Sequence, residues 1–109
     1  MLDMDTNGAV LGADVEIPEA PGSDSVSGDA LAREARETRS ADAMYRLGMM
    51  FSTGQGVTYD IVEAHKWFNL AATMGSEDAK RWRKELAAEM SSTQVAEAQR
   101  QAREWLRAA

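Results

Sequence analysis

Apolar residues follow a helical period over most of the chain. From Asp29 onward they recur at spacings of three and four, the interval at which side chains share one face of an α-helix. The clearest stretch covers about 41–53. Its apolar stripe is formed by Ala43, Leu47, Met50 and Phe51. Gly54 then occupies the position of a left-handed C-cap, which predicts that this helix ends there.

The next helix is predicted over about 61–74. Asp60 is a good N-cap, and Glu63 follows three residues later at the spacing of a capping box. Gly56 gives the preceding loop a second conformationally permissive position. The predicted inner face consists of Ala64, Trp67, Leu70 (or Ala71) and Met74.

Three more helices complete the pattern. Asp29 is the predicted N-cap of a short helix over 30–39, and Ser76 is that of a helix over about 77–90. Ser91 and Gln94 have capping-box spacing before a last helix over about 92–108. The inner residues of the last two helices are predicted to be Ala79, Trp82, Leu86, Met90, Val95, Ala98, Ala102, Trp105 and Leu106. The sequence therefore predicts an all-α fold of consecutive antiparallel helical hairpins.

Gly48 lies in the middle of the first strongly apolar stretch. A glycine inside a helix costs about 1 kcal/mol relative to alanine. Its presence predicts a close approach between this helix and the next one, on the side of Ala71 and Ala72. Small residues at these positions allow the two helices to pack around Trp67.

Charge divides the chain into two parts. Residues 1–28 contain six acidic residues and no basic ones, which accounts for the whole net charge of −6. Both prolines and half of the eight glycines also lie there. This composition predicts a flexible, disordered acidic N-terminal arm over 1–28, followed by a helical domain over 29–109. The neutral domain lacks the basic footprint of non-specific nucleic-acid binding.

The stretch from Ala43 to Ala79 resembles a Sel-one-like repeat, a helical hairpin related to the tetratricopeptide repeat. Fifteen residues match the pattern of that family in register: Ala43, Tyr45, Leu47, Gly48, Phe51, Gly54, Gly56, Val57, Asp60, Ala64, Trp67, Ala71, Ala72, Gly75 and Ala79. The resemblance implies a short α/α solenoid with a regular repeat over 43–79. Residues 79–108 lack the Leu-Gly pair and the Gly-x-Gly-Val loop, and we interpret them as a divergent capping hairpin.

The resemblance implies a function in protein–protein contact. An adaptor or scaffold of this family needs neither catalytic residues nor a cofactor, and we expect neither here. The expected partner is another protein or a second copy of the chain. Candidate contact residues on an end or on the concave face are Tyr45, Met49, His65 and Trp105.

Four basic residues around Trp82 support a second interpretation. Lys80, Arg81, Arg83 and Lys84 form either a nucleic-acid patch or an ordinary solvated helix face. Of these, Lys80 and Lys84 share one side of the helix and are candidate contacts for nucleic acid or for an acidic segment. This makes a small nucleic-acid-associated regulator the alternative function, although the neutral domain makes nucleic acid an unfavoured partner.

His65 is the single histidine, and its neighbourhood decides between two roles. A metal site would require further ligands, and the chain has no cysteine and no second histidine. We therefore expect His65 to be half-exposed at the edge of a helix-packing surface. No catalytic constellation can be assembled, so no enzyme activity and no metal are expected.

The remaining features concern location. The absence of cysteine fits a reducing compartment, and the first five residues lack the pattern of a secretory signal. No apolar run approaches the roughly 20 residues that span a bilayer. The sequence thus predicts a cytoplasmic protein without a membrane partner.

Overall fold

The computed structural model describes residues 27–108, which form five α-helices and no strand. The helices are α1 (Gly28–Thr38), α2 (Ala41–Thr53), α3 (Ile61–Thr73), α4 (Glu77–Ala87) and α5 (Ser92–Ala108). The predicted all-α fold, a short helical solenoid, is confirmed. The predicted arm lies outside the described residues except for Ser27, which caps α1, and Gly28, which begins it.

Local capping sets most of the helix boundaries. Helix α2 has the predicted bounds and ends at Gly54, whose φ of 77° is left-handed. The Asp60 carboxylate accepts hydrogen bonds from the first turn of α3, at 3.0 Å from Val62 N and 3.1 Å from Glu63 N. These contacts supply partners to backbone N–H groups that have none within the helix. The predictions for these two ends are therefore confirmed.

The later caps follow the same principle. Ser76 Oγ accepts from Ala79 N at the start of α4. Ser91 and Gln94 form a complete capping box, in which Gln94 N donates to Ser91 Oγ and Ser91 N donates to Gln94 Oε1. Because this pairing satisfies two N–H groups at once, α5 begins where the sequence predicted.

Three local predictions were wrong. Ser27, not Asp29, caps α1, because its hydroxyl accepts from Ala30 N and places Asp29 within the first turn. Helix α4 ends at Ala87, three residues earlier than expected. The predicted capping box of α3 is incomplete, because Asp60 N donates to the carbonyl oxygen of Phe51 instead of to Glu63. That bond closes the α2–α3 loop.

Helices α2 and α3 form an antiparallel hairpin that contains the centre of the core. Gly48 packs against α3, but it meets the Phe68 ring, so the predicted approach on the Ala71–Ala72 side was wrong. A Cβ atom placed on Gly48 would lie 2.6 Å from two atoms of that ring. The five largest fully buried side chains all belong to this hairpin: Met44, Leu47, His65, Phe68 and Leu70.

Helices α4 and α5 both pack against α3. The principal packings are α1 on α2, α2 on α3, and α4 and α5 on α3, whereas α4 and α5 make little contact with each other. Their fully buried residues are the alanines Ala79, Ala98 and Ala102. Helix α3 is therefore the central element, and the division into a regular repeat and a capping unit stays a prediction.

Candidate protein-interaction surface

Three aromatic rings form a row across helices α2, α3 and α4. The ring centroids of Tyr45 and Phe68 are 5.7 Å apart, and the planes are tilted by 57°. The centroids of Phe68 and Trp82 are 6.4 Å apart, with planes only 19° from parallel. These distances lie within the range in which aromatic pairs attract one another. We call Tyr45, Phe68 and Trp82 the aromatic row.

The members of the row differ in exposure. Phe68 is fully buried and forms the floor, while Tyr45 and Trp82 are half-buried at its two ends. Met49 is also half-buried and lies one helical turn after Tyr45 on the same side of α2. Tyr45, Met49 and Trp82 are therefore partly accessible, and Tyr45 and Trp82 rest on a buried ring.

Two of the predicted contact residues, Tyr45 and Met49, thus come together, and Trp82 joins them. From the sequence, Trp82 was predicted only to be an inner residue of α4. Trp82 stands between Arg81 and Arg83, and these charged neighbours indicate that its ring lies near solvent. The packing that aligns it with Phe68 is tertiary, so helical spacing alone did not reveal the row.

Two bases of the predicted basic patch on α4 form exposed ion pairs within the helix, and one hydrogen-bonds to α3. Lys80 Nζ lies 3.0 Å from a Glu77 carboxylate oxygen. Arg83 Nη1 donates to Asn69 Oδ1 of α3 at 2.8 Å. Lys84 is exposed and has no ion pair within the described part of the chain. The four bases point to different sides of the helix and two of them pair with acids, so this face gives no particular support to the nucleic-acid alternative.

His65 is not half-exposed, and that prediction was wrong. Only 2% of its surface is accessible, because α4 packs on this side of α3 and brings Arg83 close to the ring. Burial, and to a smaller extent the positive charge of Arg83, lower the pKa of His65. Its Nδ1 atom is buried without a hydrogen-bond partner. A neutral imidazole at this depth cannot touch a partner directly, so His65 is a core residue.

Trp105 belongs to a different part of the structure. Its ring meets Trp67 edge-on, with centroids 5.8 Å apart and planes at 74°. The Arg39 guanidinium carbon lies 5.4 Å from the centre of the Trp105 ring, a cation–π distance. Arg39 itself has a left-handed φ of 55° at the end of α1. Trp105 therefore fastens α5 to α3 and to the end of α1, and its role in partner binding stays a prediction.

A cleft of about 270 Å³ opens between the start of α1, the α2–α3 loop and α3. Apolar side chains form much of its lining, among them Leu47, Phe51, Val57 and Trp67, and two acids, Asp29 and Glu63, also contribute. Glu63 is already engaged, since its carboxylate accepts from Trp67 Nε1 at 3.2 Å and binds Lys66. The cleft is slightly smaller than usual ligand pockets, which begin near 300 Å³.

Across residues 27–108, no group of three or more acidic or imidazole side chains is arranged to hold a metal ion. The helices in this range are also too short or too polar to cross a bilayer.

Comparison with known proteins gives one family. The family model described as Sel1 repeat matches residues 41–76 and 93–109. The first match covers α2, α3 and the turn that follows, and the second covers nearly all of α5, so α4 lies between them. No curated protein matches the chain.

Proposed function

Since the Sel1 repeat model matches residues 41–76 and 93–109, we propose that the chain is a non-enzymatic adaptor or scaffold that binds another protein through Tyr45, Met49 and Trp82. Sel1 repeats generally mediate protein–protein interaction. The adaptor role and the binding residues are the proposal. The observation that carries it is the aromatic row, in which accessible rings lie on a fully buried one.

The composition of this surface suits protein recognition. Aromatic residues and methionine are enriched in the cores of protein interfaces, and truncating a well-packed aromatic side chain often costs a large part of the binding energy. Tyr45 and Trp82 are held by contact with Phe68, so little side-chain freedom remains to be lost on binding. The surface is therefore preorganised for a partner.

The proposal includes the absence of catalysis. A general base has to reach the proton it removes, and His65 is enclosed between α3 and α4. The family also points to interaction and not to catalysis, because its repeats are typically non-catalytic. The cytoplasmic location remains a prediction from the sequence.

Site-specific photo-cross-linking in native extract tests the proposal. A photoreactive amino acid replaces Met49 in one full-length variant, and exposed Glu37 of α1 in a control variant. We expect a discrete adduct from position 49 that position 37 does not give, and loss of that adduct when Trp82→Ala is added. An adduct of twice the mass of the chain would identify a second copy as the partner. Equal labelling from both positions, or none from position 49, would contradict this surface.

A further inference from the structure

We propose that the partner segment bound by the aromatic row is basic, with Lys or Arg residues next to an apolar anchor. This inference rests on the proposed function, because it names the chemistry of the segment that the same surface accepts. It follows from the way α4 separates its charges around Trp82.

Acids outnumber bases on the side of α4 that carries Asp78 and Glu85, where Arg81 is the one base. Asp78 precedes Trp82 by four residues and Glu85 follows it by three, so both lie on the Trp82 side of the helix. Glu85 is exposed and has no ion pair within the described helices. Asp78 lies 3.6 Å from Arg81, but both side chains are about two-thirds exposed, at 66% and 65%. Such a pair is weak in water, so the carboxylate and the Arg81 guanidinium both stay available, and Glu85 is the excess charge on this side.

Three of the four bases of α4 face elsewhere. Lys80 and Lys84 lie nearly opposite Trp82 around the helix, and Arg83 donates to Asn69 of α3 on the other flank, whereas Arg81 lies on the same side as Asp78 and pairs with it. The same contact fixes the rotation of α4, since Trp82 is then directed to Phe68. A segment lying on the aromatic row therefore meets Asp78 and Glu85 together with Arg81, and on this side of α4 the acids exceed the bases by one.

Helix α2 contributes little net charge to this surface. Asp42 and Arg46 flank Tyr45 and pair with each other at 3.0 Å. Their charges compensate, so the sign of the surface is determined by α4. Lys or Arg side chains complement that sign, while their aliphatic stems can cover the rings of Tyr45 and Trp82. An acidic segment would meet like charge at the same place.

The test uses the full chain labelled with ¹⁵N and three synthetic amphipathic peptides. All three peptides have leucine at the same positions. Their polar positions are filled with lysine in the first peptide, glutamate in the second and glutamine in the third. The indole N–H signals give direct readouts, because Trp82 belongs to the row while Trp67 donates to Glu63 away from it. We expect the lysine peptide to shift the Trp82 signal and to leave that of Trp67 in place.

Two matched variants separate surface charge from total charge. Glu85→Lys reverses the exposed acid beside Trp82, and Glu34→Lys makes the same change on the exposed face of α1. Asp78 is left unchanged because it lies in the first turn of α4, where an acid stabilises the helix. We expect Glu85→Lys to weaken binding of the lysine peptide about tenfold and Glu34→Lys to change it little.

The other outcomes distinguish this inference from the function on which it rests. Equal shifts of Trp82 with all three peptides, or a preference for the glutamate peptide, would overturn the basic partner and leave the interaction surface standing. Failure of the lysine peptide to bind would also overturn it, and cross-linking at position 49 would then decide the proposed function alone. Concentration-dependent shifts of Trp82 without peptide would identify a second copy as the occupant and overturn the basic segment.

Discussion

The α2–α3 hairpin and the C-terminal helices α4 and α5 bury different kinds of side chain. The hairpin supplies all five of the largest fully buried side chains, whereas α4 and α5 supply only alanines to the fully buried set. The large apolar residues of the two C-terminal helices, such as Trp82 and Leu86, are half-buried. We infer that the hairpin provides most of the stability and that α4 provides surface for contact.

The reason lies in the number of neighbours of each helix. Helix α3 has α2, α4 and α5 around it, so its side chains are covered on several sides. Helices α4 and α5 pack mainly on α3, and each keeps a side open to solvent. A helix with one main neighbour buries only the residues that directly face that neighbour. In α4 and α5 these residues are alanines. The difference between the two regions leads to four predictions.

The largest expected effect is on the floor of the aromatic row. Phe68→Ala removes a fully buried ring and should lower the free energy of unfolding by about 3–5 kcal/mol. Trp82→Ala truncates a larger but half-buried ring and should cost about 1–3 kcal/mol. Urea unfolding monitored by circular dichroism measures both. A larger loss for Trp82→Ala would reverse the proposed division of roles.

Gly48 tests how closely the hairpin is packed. Alanine favours a helix by about 1 kcal/mol relative to glycine, yet the added methyl group would press on the Phe68 ring at 2.6 Å. Because overpacking typically costs about 1–3 kcal/mol, we expect Gly48→Ala to be destabilising overall. In a Phe68→Leu background the same change should cost less. If Gly48→Ala raised the melting temperature, the close contact would not exist in solution.

The helix caps compare the two regions at their ends. Asp60→Ala removes two hydrogen bonds from the start of α3, and Ser76→Ala removes one from the start of α4. Each should cost about 0.5–2 kcal/mol, and we expect the Asp60 value to be the larger. Thermal melts at neutral pH provide the measurement. Equal losses of stability in the two variants would show that the N-cap of α3 contributes no more to folding than the N-cap of α4.

The smallest effect is expected from His65 as the pH falls. Its pKa in the folded chain lies below the ordinary value of 6.5, so the unfolded chain takes up a proton first. The contribution of His65 to stability is complete above that value and is lost as the pH falls from it toward the folded pKa. We expect the free energy of unfolding to fall between about pH 7.5 and pH 5.5.

The neutral variant His65→Gln isolates this effect. It should unfold more easily at neutral pH but show a flatter dependence on pH in the same window. Glu97 does not interfere, because hydrogen bonds from Arg100 and Gln101 lower its pKa to about 2, far below that range. An identical pH dependence in the parent and the variant would contradict a buried neutral imidazole.

The sequence by itself determined the local features of this protein. The bounds of α2, the left-handed Gly54, the Asp60 and Ser76 caps and the Ser91–Gln94 capping box all follow from residues within a few positions of one another. Such interactions need no distant partner, so residue type and spacing are sufficient to predict them. The repeat pattern also specified the α2–α3 hairpin, because its loop glycines and small residues are encoded in register.

Only the tertiary structure decided which residues became the core and the candidate surface. Trp67 was predicted as the centre of packing, yet Phe68 occupies the space beside Gly48 and aligns Tyr45 with Trp82. His65 is buried because α4 lies against that side of α3, and Asp60 N bonds to the carbonyl oxygen of Phe51 in α2 instead of to Glu63. Each outcome depends on how a helix is rotated against its neighbour. Helical periodicity leaves that rotation open, since several adjacent faces of α3 are apolar, and packing of complete side chains selects one of them.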